Sequence, residues 1–139
     1  MAARAYSPAS EASIPALTGQ RVRFAHHRIP IDGFLKLHVD FNRSSRTGLY
    51  RRINCLVYLN EDWRKGDGGE LQLHSDPNKP AEVTIPPMFN TTVLFATSET
   101  SWHGHPNPLT RGQRCSLAGY YFSPEPAPNY TGPHSTVFR

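Results

Sequence analysis

Cysteine is scarce in this chain, and so is any long apolar run. Two cysteines in 139 residues, Cys55 and Cys115, are too few for a disulfide framework and make a reducing, cytoplasmic setting the simplest expectation. No apolar stretch approaches the ~18 residues of a membrane helix, so no membrane contact is expected. The opening MAARAYSPASEASIPAL is too polar and too broken by proline for a secretory signal. Without secretion, the glycosylation sequons at Asn90 and Asn129 carry no weight. Helical periodicity is missing beyond a turn or two, and composition excludes a coiled coil, a collagen-like repeat and a disordered tail.

What remains is enough for one domain. A chain of this length buries about two thirds of its unfolded surface. The net charge is +4, with arginine gathered at Arg21, Arg23 and Arg28 and again at Arg43, Arg46, Arg51 and Arg52. Nucleic acid or an anionic small molecule could use such clusters. A solvated face with strand-edge charges is the plainer reading, because no interleaved aromatics or groove-reading motif accompanies them.

A period of two dominates after residue 33. Leu35, Leu37, Val39 and Phe41 alternate with Phe34, Lys36, His38 and Asp40. The run Leu49 to Leu59 sets Ile53, Cys55, Val57 and Leu59 against Asn54, Leu56 and Tyr58. Shorter strands are expected over 70–74, 81–85 and 91–96, and a last long one over 114–122, with Arg114, Ser116 and Ala118 on one side. Turn residues punctuate them, among them Gly66-Asp67-Gly68-Gly69, Asp76-Pro77-Asn78 and Pro86-Pro87. The pattern predicts an all-β core, a double-stranded β-helix or jelly roll with little helix. Residues 1–32 read as an N-terminal support segment, 33–123 as the core and 124–139 as an extended tail. The side facing away from His38, Asp40 and Tyr58 is apolar and predicts a cover, either a second copy of the chain or a further segment.

His38 and Asp40, two apart on a strand, share a face. With a third ligand from another strand they can form a facial triad with open positions, the arrangement of non-haem Fe(II) oxygenases; a strand-surface ion pair would have the same spacing. Trp102-His103-Gly104-His105 supplies two candidates for the third ligand. Arg114 and Ser116 share a face, where a guanidinium beside a hydroxyl suits a carboxylate. Tyr58 points inward from its strand. His26, His27, His74 and His134 lack ligand spacing and read as surface or supporting residues. Lys36 shares the His38 side as a rim lysine, Trp63 anchors the loop before Gly68-Gly69, and Cys55 and Cys115 are buried thiols facing away from the site.

The segments Phe34–Asp40, Leu56-Val57-Tyr58-Leu59-Asn60-Glu61-Asp62-Trp63, Gly68-Gly69-Glu70-Leu71 and His103…Arg114-Cys115-Ser116-Leu117 together resemble the 2-oxoglutarate/Fe(II)-dependent oxygenases, in particular the prolyl 4-hydroxylase-like branch. The likeness spans roughly residues 32–123, four motifs in the family's order. It implies Fe(II) held by His38, Asp40 and a distal histidine. His103 is favoured there, with His105 as the alternative. It also implies 2-oxoglutarate bound through Arg114, Tyr58 and Ser116, O2 as the second cosubstrate, and ascorbate as a candidate co-reductant. Halogenating relatives replace the carboxylate by a small residue, so Asp40 implies hydroxylation. The implied reaction inserts oxygen into an unactivated C–H of a prolyl, amino-acid or amino-acid-like substrate, small or peptidyl, with succinate and CO2 released. The competing readings are an oxidative dealkylase of methylated nucleic acid and a non-catalytic barrel that binds a metal or an organic acid.

Overall fold

The computed structural model describes residues 3–6, as backbone only, and 21–139. Ten strands follow in order: β1 Ala3–Tyr6, β2 Arg21–Ile29, β3 Leu35–Val39, β4 Tyr50–Tyr58, β5 Leu71–His74, β6 Val83–Ile85, β7 Thr92–Ala96, β8 Trp102–His105, β9 Arg114–Ser123 and β10 Val137–Phe138. They form two five-stranded sheets, β1-β7-β4-β9-β2 and β10-β3-β8-β5-β6. Every strand pair is antiparallel. No described residue is helical, so the all-β expectation holds.

The predicted strands form within a residue or two of their expected limits. The β4 alternation puts Asn54 and Tyr58 in the interior, and β9 buries Arg114, Ser116 and Ala118. Tyr58, Leu71, Leu73, Ile85, Val93 and Phe95 pack into one cluster between the sheets, backed by Leu56 and Val83. This apolar half leaves the opposite half of the barrel for polar side chains.

Within the segment read as N-terminal support, Arg21–Ile29 pairs with β9 over nine residue positions and forms the edge of the larger sheet. The alternation through residues 34–41 is broken by a bulge: Leu35 pairs with His105 and His38 with His103, three residues against two. Leu35 therefore lies on the His38 side, and Lys36 is solvent-exposed, as a rim lysine would be. Phe41, expected on the outer side, stacks on the inward Phe122 with ring centroids 6.3 Å apart. The tail, in turn, ends in β10, paired to β3.

The outer face of the larger sheet is apolar, as expected. Phe24 is 74% exposed, and Val22 and Leu117 stand beside it. Cys55 and Cys115 point to this side and are half-buried thiols rather than buried ones.

Candidate metal centre and cosubstrate pocket

Two adjacent strands bring three ligand-capable side chains together. His38, Asp40 and His103 are buried, and one ligand atom from each lies within 4.8 Å of the others. His38 Nε2 is 3.7 Å from Asp40 Oδ1, and His103 Nε2 is 3.3 Å from Asp40 Oδ2. Each imidazole is oriented from behind. Nδ1 of His38 lies 2.9 Å from the Lys36 carbonyl, and Nδ1 of His103 lies 2.9 Å from that of Ser101. A carbonyl only accepts, so each Nδ1 donates and each Nε2 is the ring atom turned toward the centre. Burial and the neighbouring His103 push the His38 pKa down, which keeps that ring neutral.

His105 shares the His103 face but stays outside the cluster. Its Nδ1 is buried without a partner. Burial, then the Arg114 charge, pushes its pKa down to about 3. Gly104, between the two histidines, permits the approach of β8 to β3: a Cβ there would stand 2.6 Å from the Lys36 carbonyl oxygen and 2.7 Å from that of Leu35.

Asp40 sits in a network that counting residues does not reveal. Arg51 Nη2 lies 2.9 Å from Asp40 Oδ2, and Asn54 Nδ2 donates to the same oxygen at 2.8 Å. Arg51 Nε donates to Asn54 Oδ1 at 2.9 Å, closing the triangle. The guanidinium lies 4.0 Å from the Tyr120 ring centroid, and the Tyr120 hydroxyl is 3.3 Å from His27 Nε2. Burial opposes ionisation of Asp40, but His103, Arg51 and the Asn54 amide outweigh it and hold the carboxyl far below its usual range. Arg51 is thus no part of a solvated basic face.

The reason is a second bulge, where Arg51 pairs with Phe122 but Ile53 with Tyr121. Strict alternation back from Tyr58 turns Arg52 inward, whereas the bulge turns Arg51 inward. The inward amide of Asn54 is the signal that the sequence did hold. His74 also departs from the surface reading: it is buried, with Nδ1 3.0 Å from the Lys79 carbonyl. His27 is half-buried, and His134 pairs with Glu99 at 3.1 Å.

A second buried polar cluster is built by β4 and β9. Arg114, 4% exposed, donates through Nε to the Gly69 carbonyl at 2.8 Å and through Nη2 to the Tyr58 hydroxyl at 3.0 Å. Both acceptors are neutral, and no carboxylate among the described residues pairs with it. Gly69 holds φ at +76°, and its α-carbon faces the Arg114 side chain, where a Cβ would come within 3.2 Å of Cδ. Trp63 pins this turn by donating to the Gly68 carbonyl at 2.9 Å. The Ser116 hydroxyl is fully buried with no hydrogen-bond partner.

Both regions fit the groups that the motifs imply. Two imidazoles and one carboxylate, clustered on one face, are a donor set for a six-coordinate ferrous ion with positions to spare. A buried cation without a counter-charge, beside an orphaned hydroxyl, is costly unless an anion completes it.

The profile of the 2OG-Fe(II) oxygenase superfamily matches residues 23–122. The chain belongs to that superfamily. The chain is similar to a prolyl 3-hydroxylase of Xenopus laevis, 33% identical over 76 residues, which cover 51% of this chain and 15% of the relative. Among solved structures it resembles a Pseudomonas putida prolyl-4-hydroxylase, with a TM-score of 0.57 and 25% identity over 73% of this chain and 52% of that one. It also resembles a Trichoplax adhaerens prolyl hydroxylase solved with a hypoxia-inducible-factor peptide, with a TM-score of 0.56 and 28% identity over 76% and 44%. The oxygenase spans about half the length of these solved relatives and less of the curated one. The family is Fe(II)- and 2-oxoglutarate-dependent, and the two antiparallel sheets of this chain are the family's jelly-roll core.

Proposed function

We propose that the chain hydroxylates an unactivated C–H of a prolyl, amino-acid or amino-acid-like substrate, with His38, Asp40 and His103 holding Fe(II). Arg114, Tyr58 and Ser116 bind the distal carboxylate of 2-oxoglutarate. The buried, counter-charge-free Arg114 beside the unpartnered Ser116 hydroxyl carries this reading. When bound, iron and 2-oxoglutarate supply the oxidative decarboxylation that delivers one oxygen atom of O2 to the substrate and leaves succinate and CO2.

The chain's own residues do the rest. Arg114 and Ser116 fix the cosubstrate from its far end, and the Tyr58 hydroxyl, held by Arg114 Nη2, offers its own proton to the same anion. The Lys36 and Ser101 carbonyls hold the two imidazoles in one tautomer. Asp40, rather than a small residue, fills the third ligand position, which favours hydroxyl return over halide capture.

Anaerobic titration with Fe(II) and 2-oxoglutarate tests the assignment. A weak visible charge-transfer band is expected, lost in Asp40→Ala and displaced to far higher 2-oxoglutarate in Arg114→Leu. With O2 and ascorbate present, succinate should accumulate in proportion to hydroxylated product. Joint binding with no succinate from any prolyl or amino-acid substrate would instead indicate a non-catalytic barrel.

A further inference from the structure

The inward side chains of β9 act as a ruler along the barrel. Arg114 and Ser116 mark the cosubstrate end, and Tyr120, under the Arg51 guanidinium, marks the level of Asp40. Phe122 follows two residues, or about 7 Å, further on. At that level a cavity of about 620 Å³ opens, walled by Phe41 and by Arg23, Arg43, Arg46, Ser45 and His134. A second cavity of about 310 Å³ continues it, sharing Arg23 and Arg46 and reaching Phe122. Phe41 follows Asp40 in the chain, and its ring lies 5.1 Å from the Arg51 guanidinium. The cavity therefore begins where the metal centre ends, on the side away from Arg114.

Its charge is one-sided. Arg23 lies over the Phe122 ring at 6.0 Å. Arg43 donates to the Gly48 carbonyl at 3.1 Å and lies 5.5 Å from the Tyr50 ring centroid. Arg46 is solvent-exposed. Among the described residues no carboxylate pairs with any of the three, and none lines the larger cavity. Three guanidiniums line open space beside Phe41, next in the chain to Asp40; the Glu99 carboxylate, held by the cavity-lining His134, pairs with none of them.

We propose that this cavity receives the chain flanking the reacting residue and selects an acidic peptide, an inference that rests on the proposed hydroxylase reading. The ruler sets the spacing: an extended chain advances about 3.4 Å per residue, so Asp or Glu about two to four residues from the reacting position meets the arginines. Planar guanidiniums bind carboxylates through two parallel hydrogen bonds, which gives orientation as well as attraction. A peptide fits better than nucleic acid because the cavity's two phenyl rings stack on each other instead of offering a free platform for bases.

The test uses fluorescein-labelled peptides with a central proline and a flank of glutamate, serine or lysine, titrated onto the Fe(II)- and 2-oxoglutarate-loaded protein without O2. The glutamate peptide should bind about tenfold or more tighter than the lysine peptide, with a gap that narrows as salt rises. Arg43→Gln combined with Arg46→Gln should abolish the preference while the iron–2-oxoglutarate band persists. Lys65→Gln, a remote exposed charge, should keep the preference. Equal binding of the three peptides, or a preference that survives the double substitution, overturns the proposal. Tighter binding of a single-stranded oligonucleotide than of the glutamate peptide overturns it in favour of nucleic acid. Loss of the band in the unsubstituted protein would defeat the hydroxylase reading itself, a failure separate from either.

Discussion

Arg51 holds the carboxylate that is to bind the metal, yet it would not touch the metal. Its guanidinium and the Asn54 amide occupy one oxygen of Asp40, which orients the other toward His38. Losing a group of this kind typically lowers metal affinity 10- to 100-fold. Arg51→Met is therefore expected to weaken Fe(II) or Co(II) binding by roughly that factor, with Arg51→Lys recovering part of it in the same titration. An unchanged metal isotherm in Arg51→Met would make the network a packing feature only. His105 gives a pH prediction. Folded, its pKa is about 3; unfolded, it is about 6.5. Between these values the unfolded chain takes up a proton that the fold refuses. Stability of the metal-free protein should then fall with falling pH in that window, by up to about 1.4 kcal/mol per unit from this group. Above pH 7 its contribution is flat. Urea unfolding across a pH series checks this, and His105→Gln should flatten the slope.

At the scale of elements, two bulges build the centre. One puts Leu35 and His38 on the same side of β3, and the other turns Arg51 inward from β4. Alternation made most of the sheet legible: Asn54, Tyr58, Arg114 and Ser116 all face where a period of two sends them. It failed at the bulges, because one extra residue inverts every assignment beyond it. β2 escaped notice for a different reason. Its edge position exposes Val22, Phe24, His26 and Arg28 in turn, so no buried stripe marks it. β8 carries two histidines and a glycine, a composition that reads as a loop until its pairing is seen. Gly104→Ala would drive a methyl group into two β3 carbonyls. It is expected to cost about 1–3 kcal/mol and to loosen His38 from His103, which thermal melting with parallel metal titration would register.

Seen whole, the barrel divides into an apolar half under Tyr58 and Phe95 and a polar half occupied by the candidate centre. The polar half buries Asp40, Arg51, His38, His103 and His105. Ligands for that half should therefore stabilise the entire fold. A divalent ion at 100 times its Kd contributes about 2.7 kcal/mol, so anaerobic Fe(II) or redox-inert Mn(II) should raise the melting temperature by several degrees. EDTA should reverse the shift, and Asp40→Ala should show none. The order of motifs announced both halves in the sequence. The arginine clusters were visible in the sequence, but the cavity beside Phe41 was not, because Arg23 lies far along the chain from Arg43 and Arg46 and joins them only in the folded barrel.

The last strand ties handling of the polypeptide to its chemistry. β10 is two residues long and exposed, yet Phe138 pairs with His38, its ring 5.2 Å from the imidazole, and the Arg139 amide donates to the Leu37 carbonyl at 2.9 Å. Removing or displacing Val137–Arg139 would therefore act from outside on the strand that carries His38, so two preparations differing only in this segment are expected to differ in how firmly they hold a divalent ion at the candidate centre.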